Sequence, residues 1–493
     1  MSENIDVLII GGGIIGCTVA RELSKWKLNT VLVEKDYDVA FHASGRNSGM
    51  VHPGLDLARD TLKFKYCVPG NAMFDGIAKD LGVPFKRSGQ YVVLHKHWHK
   101  LVFPFLKLRA LRNKIPNVKL LGRRAVTKRE PHIKGHKGAI FMGSAGIVNP
   151  FIMTVAYAEN AVQNGVRVML NTEVTGMKVE GGRIVEVATN KGNFAPLLVI
   201  NCAGVYADTV AGMAGDAFFK ITPRVGIHAV LDKKYGHLTN STIGQPPDKR
   251  YKSKGGGIGR TGSGNILVGP DAIEVEEKED YASARSNIEA VFSRHKTIPV
   301  DESMVINYFM GTRAAIVEPP EGAAAGGDFV IENGRKTANI IHVAGIQSPG
   351  LTAAPAIALD VEKTALQAVE KFSGRKVEAN KNFNPVRKGI VNPTKLSDAE
   401  RGSFISSNPD YGVIVCRCEE VSKGEIIAAI NSPVPATTLD AIKRRVRAGM
   451  GRCQGGFCCP LVAKIISDET GIPLTQIEKG KPGSGLFSGE TKQ

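Results

Sequence analysis

No uninterrupted apolar run in the 493 residues approaches the roughly 20 that a membrane helix needs. The most apolar stretches, Val7–Ile10 and Leu197–Ile200, are only strand-sized. No secretory or transit segment precedes the first strand, since Ile5 already lies inside it, so a cytoplasmic protein is expected. Aromatics are sparse and acidic residues are outnumbered: two Trp in all, and 47 Asp and Glu against 64 Lys and Arg, a formal charge of +17. The most basic region, His95 to Lys137, carries Trp98 alone as a tryptophan and no nucleic-acid motif, so no nucleic-acid partner is expected. Its charge suits steering of a small anionic substrate, contact with an acidic partner, peripheral association with an anionic membrane face, or plain solvation. No internal repeat is visible. What is present is a 43% hydrophobic, 23% charged composition, that of a globular chain long enough for two to four domains.

The first signal is local. An apolar strand over Asp6–Ile10 runs into Gly11-x-Gly13-x-x-Gly16, a helical pattern follows through Val19, Leu23 and Trp26, and a second strand, Thr30–Val33, ends on Glu34. That βαβ order is a dinucleotide site. Gly11 allows the tight turn, Gly13 lets a pyrophosphate approach the backbone, and Gly16 lets the helix pack on the sheet. The pyrophosphate meets the helix N-terminus, with Ile14 and Ile15 in its first turn. Glu34, beside Lys35, accepts from ribose hydroxyls, which argues against NADP and leaves FAD and NAD open.

Two further segments, HASGRNSGMVHPG (His42–Gly54) and NCAGVYAD (Asn201–Asp208), together with the fingerprint resemble the FAD-dependent oxidoreductases of the D-amino-acid oxidase and glycerol-3-phosphate dehydrogenase superfamily. The resemblance implies FAD, contacted by Ser44, Asn47, Ser48 and Gly49, with Ala203 and Gly204 on the pyrophosphate side and Val174 pairing with adenine through its backbone. It also implies a last flavin contact at GIQSPGLT, through Gly345, Gly350, Leu351 and Thr352, where a helix N-terminus faces the pyrimidine ring. NSGMVHPG, GNILVGP, YFMGTRAAI and GIQSPGLTAAPAIA extend the likeness along the chain, most strongly to the large subunit of anaerobic-type glycerol-3-phosphate dehydrogenases; L-2-hydroxyglutarate oxidases share several of these stretches.

Oxidising a secondary alcohol needs a base for the hydroxyl proton and, for an anionic substrate, a fixed cation. By the resemblance His52 is that base, or else a histidine that only hydrogen-bonds the loop or flavin. Arg313 is the cation, or else a structural arginine. Lys254 and Arg224 are further candidates for the anion site. Around Arg224 the sequence, PRVGIHAVLDK, departs from the family's usual aromatic residue after the glycine, which implies a different pocket lid. His95-x-His97-x-His99 would line one face if it were a strand, as metal ligands or as a solvated basic face.

Eight cysteines are unevenly spread, and uneven clustering in an intracellular chain reads as metal binding rather than as disulfides. Cys416-x-Cys418 and Cys453-x4-Cys458 supply four thiolates from two loops, a set suited to a [2Fe–2S] cluster; structural zinc, which prefers wider knuckles, and an empty or redox-active site are the alternatives. CRCEEVSKGEI and GRCQGGFCCP resemble the bacterioferritin-associated ferredoxin-like domain, in which a non-cysteine takes the place of Cys459. Cys459 is therefore a bystander, or a substitute for Cys458. Lys443, Arg444, Arg445 and Arg447 offset the cluster's charge, form a docking face, or are solvated helix.

The expected fold is α/β: a discontinuous FAD-binding Rossmann-type domain (1–85, 150–215, 335–373) interleaved with an α+β substrate domain (86–149, 216–334). A polar linker (374–411), a small helical Fe–S module (412–477) and a flexible tail (478–493) follow. The function implied is an FAD and [2Fe–2S] dehydrogenase of sn-glycerol 3-phosphate that passes electrons to a partner subunit or quinone. The alternatives are oxidation of a 2-hydroxy acid or secondary amine, and a non-catalytic electron-transfer subunit.

Overall fold

The computed structural model describes residues 2–245, 256–281, 285–318, 327–487 and 489. Strand β1 (Glu3–Ile10), helix α1 (Ile14–Leu23) and strand β2 (Thr30–Val33) form the predicted unit. β1 pairs in parallel with β2 on one side and with Gly192–Asn201 on the other; Arg167–Met169 extends the sheet beyond β2. Along the far edge, Gly192–Asn201 is shared by Ile340–Ala344 and by the 174–189 hairpin, which turns at Gly181-Gly182. Both faces of this sheet are buried, as a mostly parallel sheet requires. Val7 and Ile9 point into one core, beneath α1, while Leu8 and Ile10 point into another.

The two substrate-side stretches build one nine-stranded sheet, joined where Thr242–Gly244 pairs in parallel with Gln90–Leu94. At the edge beyond Gly138–Met142, helix α2 (Phe103–Arg112) packs near the edge strand Val118–Gly122. At the opposite end, strand β3 (Thr222–Leu231) pairs antiparallel with strand β4 (Val305–Ala315). Helix α3 (Gly350–Ser373) then returns the chain to the first core.

The stretch expected as a linker is ordered and packed. Trp26 bridges to Ala379, Arg387 forms a buried ion pair with Glu159, and a capping box of Ser397 and Glu400 starts a helix over Asp398–Ser407. The expectation of a free tail also needs correcting for its first residues. Gly480 lies against Tyr37, Lys481 pairs with Glu279, and Glu478 bridges to Gly485.

The C-terminal module is tied to the rest by charge. Asp38, fully buried just beyond β2, receives both arms of Arg445 (2.8 and 3.0 Å) and Nη2 of Arg444 (3.1 Å) from helix α4 (Leu439–Val446). Burial alone would raise the Asp38 pKa; the two guanidinium groups win and hold it below the usual carboxylate value. The neighbouring Tyr37 and Phe41 belong to the module's own apolar core. Arg444 and Arg445 are therefore internal anchors, and Arg447 likewise pairs with Glu419 and reaches Asn265. Asp38→Ala leaves two guanidinium groups without their carboxylate, and a loss of about 3–5 kcal/mol is expected. Urea unfolding and limited proteolysis check this: the midpoint should fall and the module become cleavable, whereas an unchanged midpoint would remove the tie from the account of stability.

Candidate functional site

At the nucleotide end, β1 runs directly into the glycines. Gly11 has φ 109°, and a Cβ there would lie 2.5 Å from the Cys202 carbonyl oxygen, so conformation and space both demand glycine. A Cβ on Gly16 would lie 2.0 Å from the Gly11 oxygen, which is why α1 can sit so close to the turn. Ser44 Oγ accepts from the Ile14 amide (2.8 Å), and Glu34 accepts from the amides of Gly12 (2.7 Å) and Asp36 (3.0 Å). Burial raises the Glu34 pKa and the Asp36 charge adds to this, while the two amides oppose it.

The amide of Thr172 donates to the Glu34 carbonyl, which brings Val174 to the same end. Gly204, at φ 58°, has open space where a side chain would stand, next to Ala203, whose α-carbon lies against Gly11. First-turn amides of α1, an acidic acceptor on the next strand and this opening are a donor set that fits a dinucleotide. Lys35 is held elsewhere, in an ion pair with Glu279 and 4.0 Å above the Tyr206 ring. Asn47 spends its side chain within its own loop, on Ala43, Ser44 and Gly49; Ser48 lies between. Gly49 could be no other residue, since a Cβ there would lie 2.1 Å from the Val148 oxygen.

The second cluster joins residues 300 apart. The His52 amide donates to Thr352 Oγ1 (2.8 Å), its carbonyl accepts from Asn71 (2.7 Å), and its Nε2 lies 3.2 Å from Ser348 Oγ. Helix α3 begins here at Gly350 and Leu351 with no side-chain cap; the Gly350 and Thr352 amides turn back onto the Gln347 and Pro349 carbonyls, and among the described residues the Leu351 amide is left for an acceptor. Gly345, at φ 68°, is pressed against Ile316, the residue after β4.

The third cluster lies on β3 and β4. Arg224 stands opposite Arg313 in the strand register, so two cations share one sheet face. A Cβ on Gly311 would lie 2.1 Å from the Arg46 oxygen, so this face abuts the 42–54 loop that carries His52. Arg313 donates to the Asp271 carbonyl (2.9 Å); burial lowers its pKa, Asp271 opposes that, and Arg224 adds to it. A largely desolvated guanidinium beside a second cation favours an anion nearby. Arg224 is paired with Glu274 (2.8 Å) and borders a cavity of about 310 Å³ lined also by Ala272 and Ile273. Lys254 lies outside the described residues.

Sequence reasoning passed over His228. It is two residues beyond Gly226, at the place where PRVGIHAVL departs from the family pattern, and that departure was the available signal. It stacks on Phe309 (4.8 Å between centroids) and is buried, with no hydrogen-bond partner on either ring nitrogen among the described residues. Burial first, then the Arg313 charge, push its pKa down to about 3. A folded pKa below the unfolded value of about 6.5 means that the unfolded chain binds more protons, so stability is lost as pH falls from about 6.5 toward 3. His228→Phe should therefore shrink the drop in urea midpoint between about pH 7.5 and about pH 5. Equal drops in both proteins would show that His228 carries none of it.

In the module, Cys416 Sγ lies 4.0 Å from Cys418 Sγ, which lies 3.8 Å from Cys453 Sγ, while the Cys458 thiol hydrogen-bonds Cys416. Two thiolates on one tetrahedral metal at about 2.3 Å are about 3.8 Å apart, so the spacing fits. The Cys458 thiol, then the amides of Gly449 and Glu419, bring the Cys416 pKa down to about 5 against burial. Amides of Gly455, Phe457 and Gly456 do the same, in direction, for Cys453. Sulfurs so surrounded by N–H groups fit an anionic cluster. Cys459 Sγ instead lies 2.4 Å from where a Cβ on Gly455 would be. His97 and His99 sit on a short 3-10 helix, His97–Val102, so the His95, His97 and His99 set does not line a strand.

A family model for FAD dependent oxidoreductases matches residues 6–363, and one for the BFD-like [2Fe-2S] binding domain matches residues 414–468. Glycerol 3-phosphate dehydrogenase of Caloramator mitchellensis is 40% identical over 494 residues, covering 99% of each chain. Glycerol 3-phosphate oxidase of Mycoplasma genitalium is 32% identical over 78% of this chain and 99% of its own. Among solved structures, dithionite-reduced L-alpha-glycerophosphate oxidase from Mycoplasma pneumoniae, with FAD bound, superimposes with a TM-score of 0.69 and 28% identity, covering 78% of this chain and 98% of that one.

Proposed function

This chain belongs to the FAD-dependent oxidoreductase family and carries a BFD-like [2Fe–2S] module, and from that premise we propose that it oxidises sn-glycerol 3-phosphate to dihydroxyacetone phosphate and delivers electrons through the module to a partner protein or quinone. The observation that carries the substrate is the Arg224–Arg313 pair on one sheet face against the His52 loop. When bound, the flavin supplies a two-electron acceptor and the cluster a one-electron carrier. Oxidation breaks the C2–H and hydroxyl O–H bonds and forms the carbonyl. His52, oriented by Ser348 and anchored through its backbone to Thr352 and Asn71, takes the hydroxyl proton. Arg313 grips the phosphate with two parallel N–H bonds, and Arg224 adds charge from the facing strand.

Electron exit through the module is supported by the relatives' lengths. The relative named a dehydrogenase is matched over 99% of this chain, whereas the match to the one named an oxidase leaves about a fifth of it uncovered. An enzyme that gave both electrons directly to oxygen would have no need of a cluster.

Added anaerobically, sn-glycerol 3-phosphate should bleach the flavin. An oxidised spectrum with this substrate and a bleached one with a 2-hydroxy acid would transfer the assignment. Arg313→Ala should raise KM about tenfold or more by removing charge-assisted hydrogen bonds, and His52→Ala should lower kcat by roughly 10²- to 10⁴-fold.

Cys453→Ser should lose iron and acid-labile sulfide together with turnover to one-electron acceptors, while anaerobic bleaching persists. Zinc in place of iron in the wild-type protein would overturn the role given to the module.

A further inference from the structure

Six of the eighteen large hydrophobic side chains exposed among the described residues fall within fourteen consecutive positions: Trp98, Leu101, Val102, Phe105, Leu108 and Leu111. Trp98, Leu101, Phe105 and Leu108 recur at the three- and four-residue spacing of one helix face, and Leu101 and Phe105 are 73% and 75% exposed. They run from the His97–Val102 turn along α2. The helix already has a buried face: Ala110, with Phe103 and Leu106, packs on the core under Ile140 and Met142. The outward stripe is therefore surplus to folding, and a clustered apolar surface of this kind marks a binding face.

Its surroundings say what it binds. From His95 to Arg129 the sequence holds eleven Lys and Arg and no Asp or Glu. Among the described residues none of the eleven is in an ion pair. Arg123, Arg124, Thr127 and Lys128, on the short helix beyond the neighbouring edge strand, line a groove of about 570 Å³. A helix with Trp, Phe and Leu outward and uncompensated cations on either side is the composition of an interfacial membrane helix, whose ring systems and leucines sink to the acyl boundary while the cations meet phosphate. No helix among the described residues is long and apolar enough to cross a membrane, so the contact is with one leaflet.

We propose that the 97–112 segment docks this protein onto the surface of an anionic phospholipid bilayer, with Trp98, Leu101, Phe105 and Leu108 in the interface and the basic 95–129 segment on the headgroups. The proposal is independent of the substrate.

The test uses the full-length holoenzyme and vesicles of phosphatidylcholine with or without phosphatidylglycerol. Co-sedimentation with the anionic vesicles, weakened by salt, and little with neutral ones, is expected. Trp98 is a built-in reporter, because the second tryptophan, Trp26, is fixed indoors by a 2.6 Å hydrogen bond to Glu362. Its emission should shift to the blue and be quenched by brominated lipid only with anionic vesicles. Leu101→Asp with Phe105→Asp should abolish both signals, and Lys96→Glu with Lys100→Glu should weaken binding by about tenfold or more. Both pairs should retain wild-type bleaching in solution, which separates a docking loss from misfolding or from failure of the substrate assignment. Absence of vesicle binding in the wild type overturns the proposal. So does a wild-type dimer that Leu101→Asp with Phe105→Asp converts to monomer without any lipid response, since a second copy would then cover the stripe.

Discussion

Asp38 sits at zero exposure with four N–H groups from two arginines around its carboxylate, and the chain on either side of it does the rest of the work of the nucleotide end. Four residues before it, Glu34 accepts from the Gly12 amide; four residues after it, His42 pairs with Asp36. One short segment thus holds Glu34, the acidic acceptor expected for the dinucleotide, and also anchors the module. A buried carboxylate is costly unless matched, and here the match comes from a separate part of the chain, 406 and 407 positions away. Neither partner has a tolerable burial without the other.

Arg447 and Lys233 converge on Glu419, directly after the candidate ligand Cys418, and Arg452, directly before Cys453, pairs with Asp232. Basic residues that precede the third cysteine thus reach into both the flavin-side loop and the substrate-side sheet. The module is held as a packed continuation of the FAD-binding and substrate-side sheets, the fixed spacing that the proposed electron relay would need. The ordered strap over 374–411 serves the same end, with Arg387 buried against Glu159.

The substrate face uses charge in the opposite way. Arg224 and Arg313 are placed side by side on paired strands, so their mutual repulsion is left unrelieved apart from Glu274 and the Asp271 carbonyl. Beside them His228 stays neutral under burial and the Arg313 charge. Two guanidinium groups on one face favour an anion beside them, which is the role proposed for the pair.

The sequence by itself determined the dinucleotide end and the four-thiol set, because both are local. A glycine spacing and a strand ending on an acid are fixed by backbone geometry within about thirty residues, and cysteines declare themselves by spacing. Only the tertiary structure decided that Arg444 and Arg445 serve Asp38 rather than a cluster or a docking face, and that the segment expected as a linker is a packed strap. It also put Lys35 on Glu279 and His228 beside Arg313. Each of these depends on a partner more than eighty residues away, and a side chain's charge or polarity does not say which distant group will neutralise it. The outward stripe on α2 shows the same limit: helical spacing gives an apolar face, but burial decides which of two such faces the fold has already used.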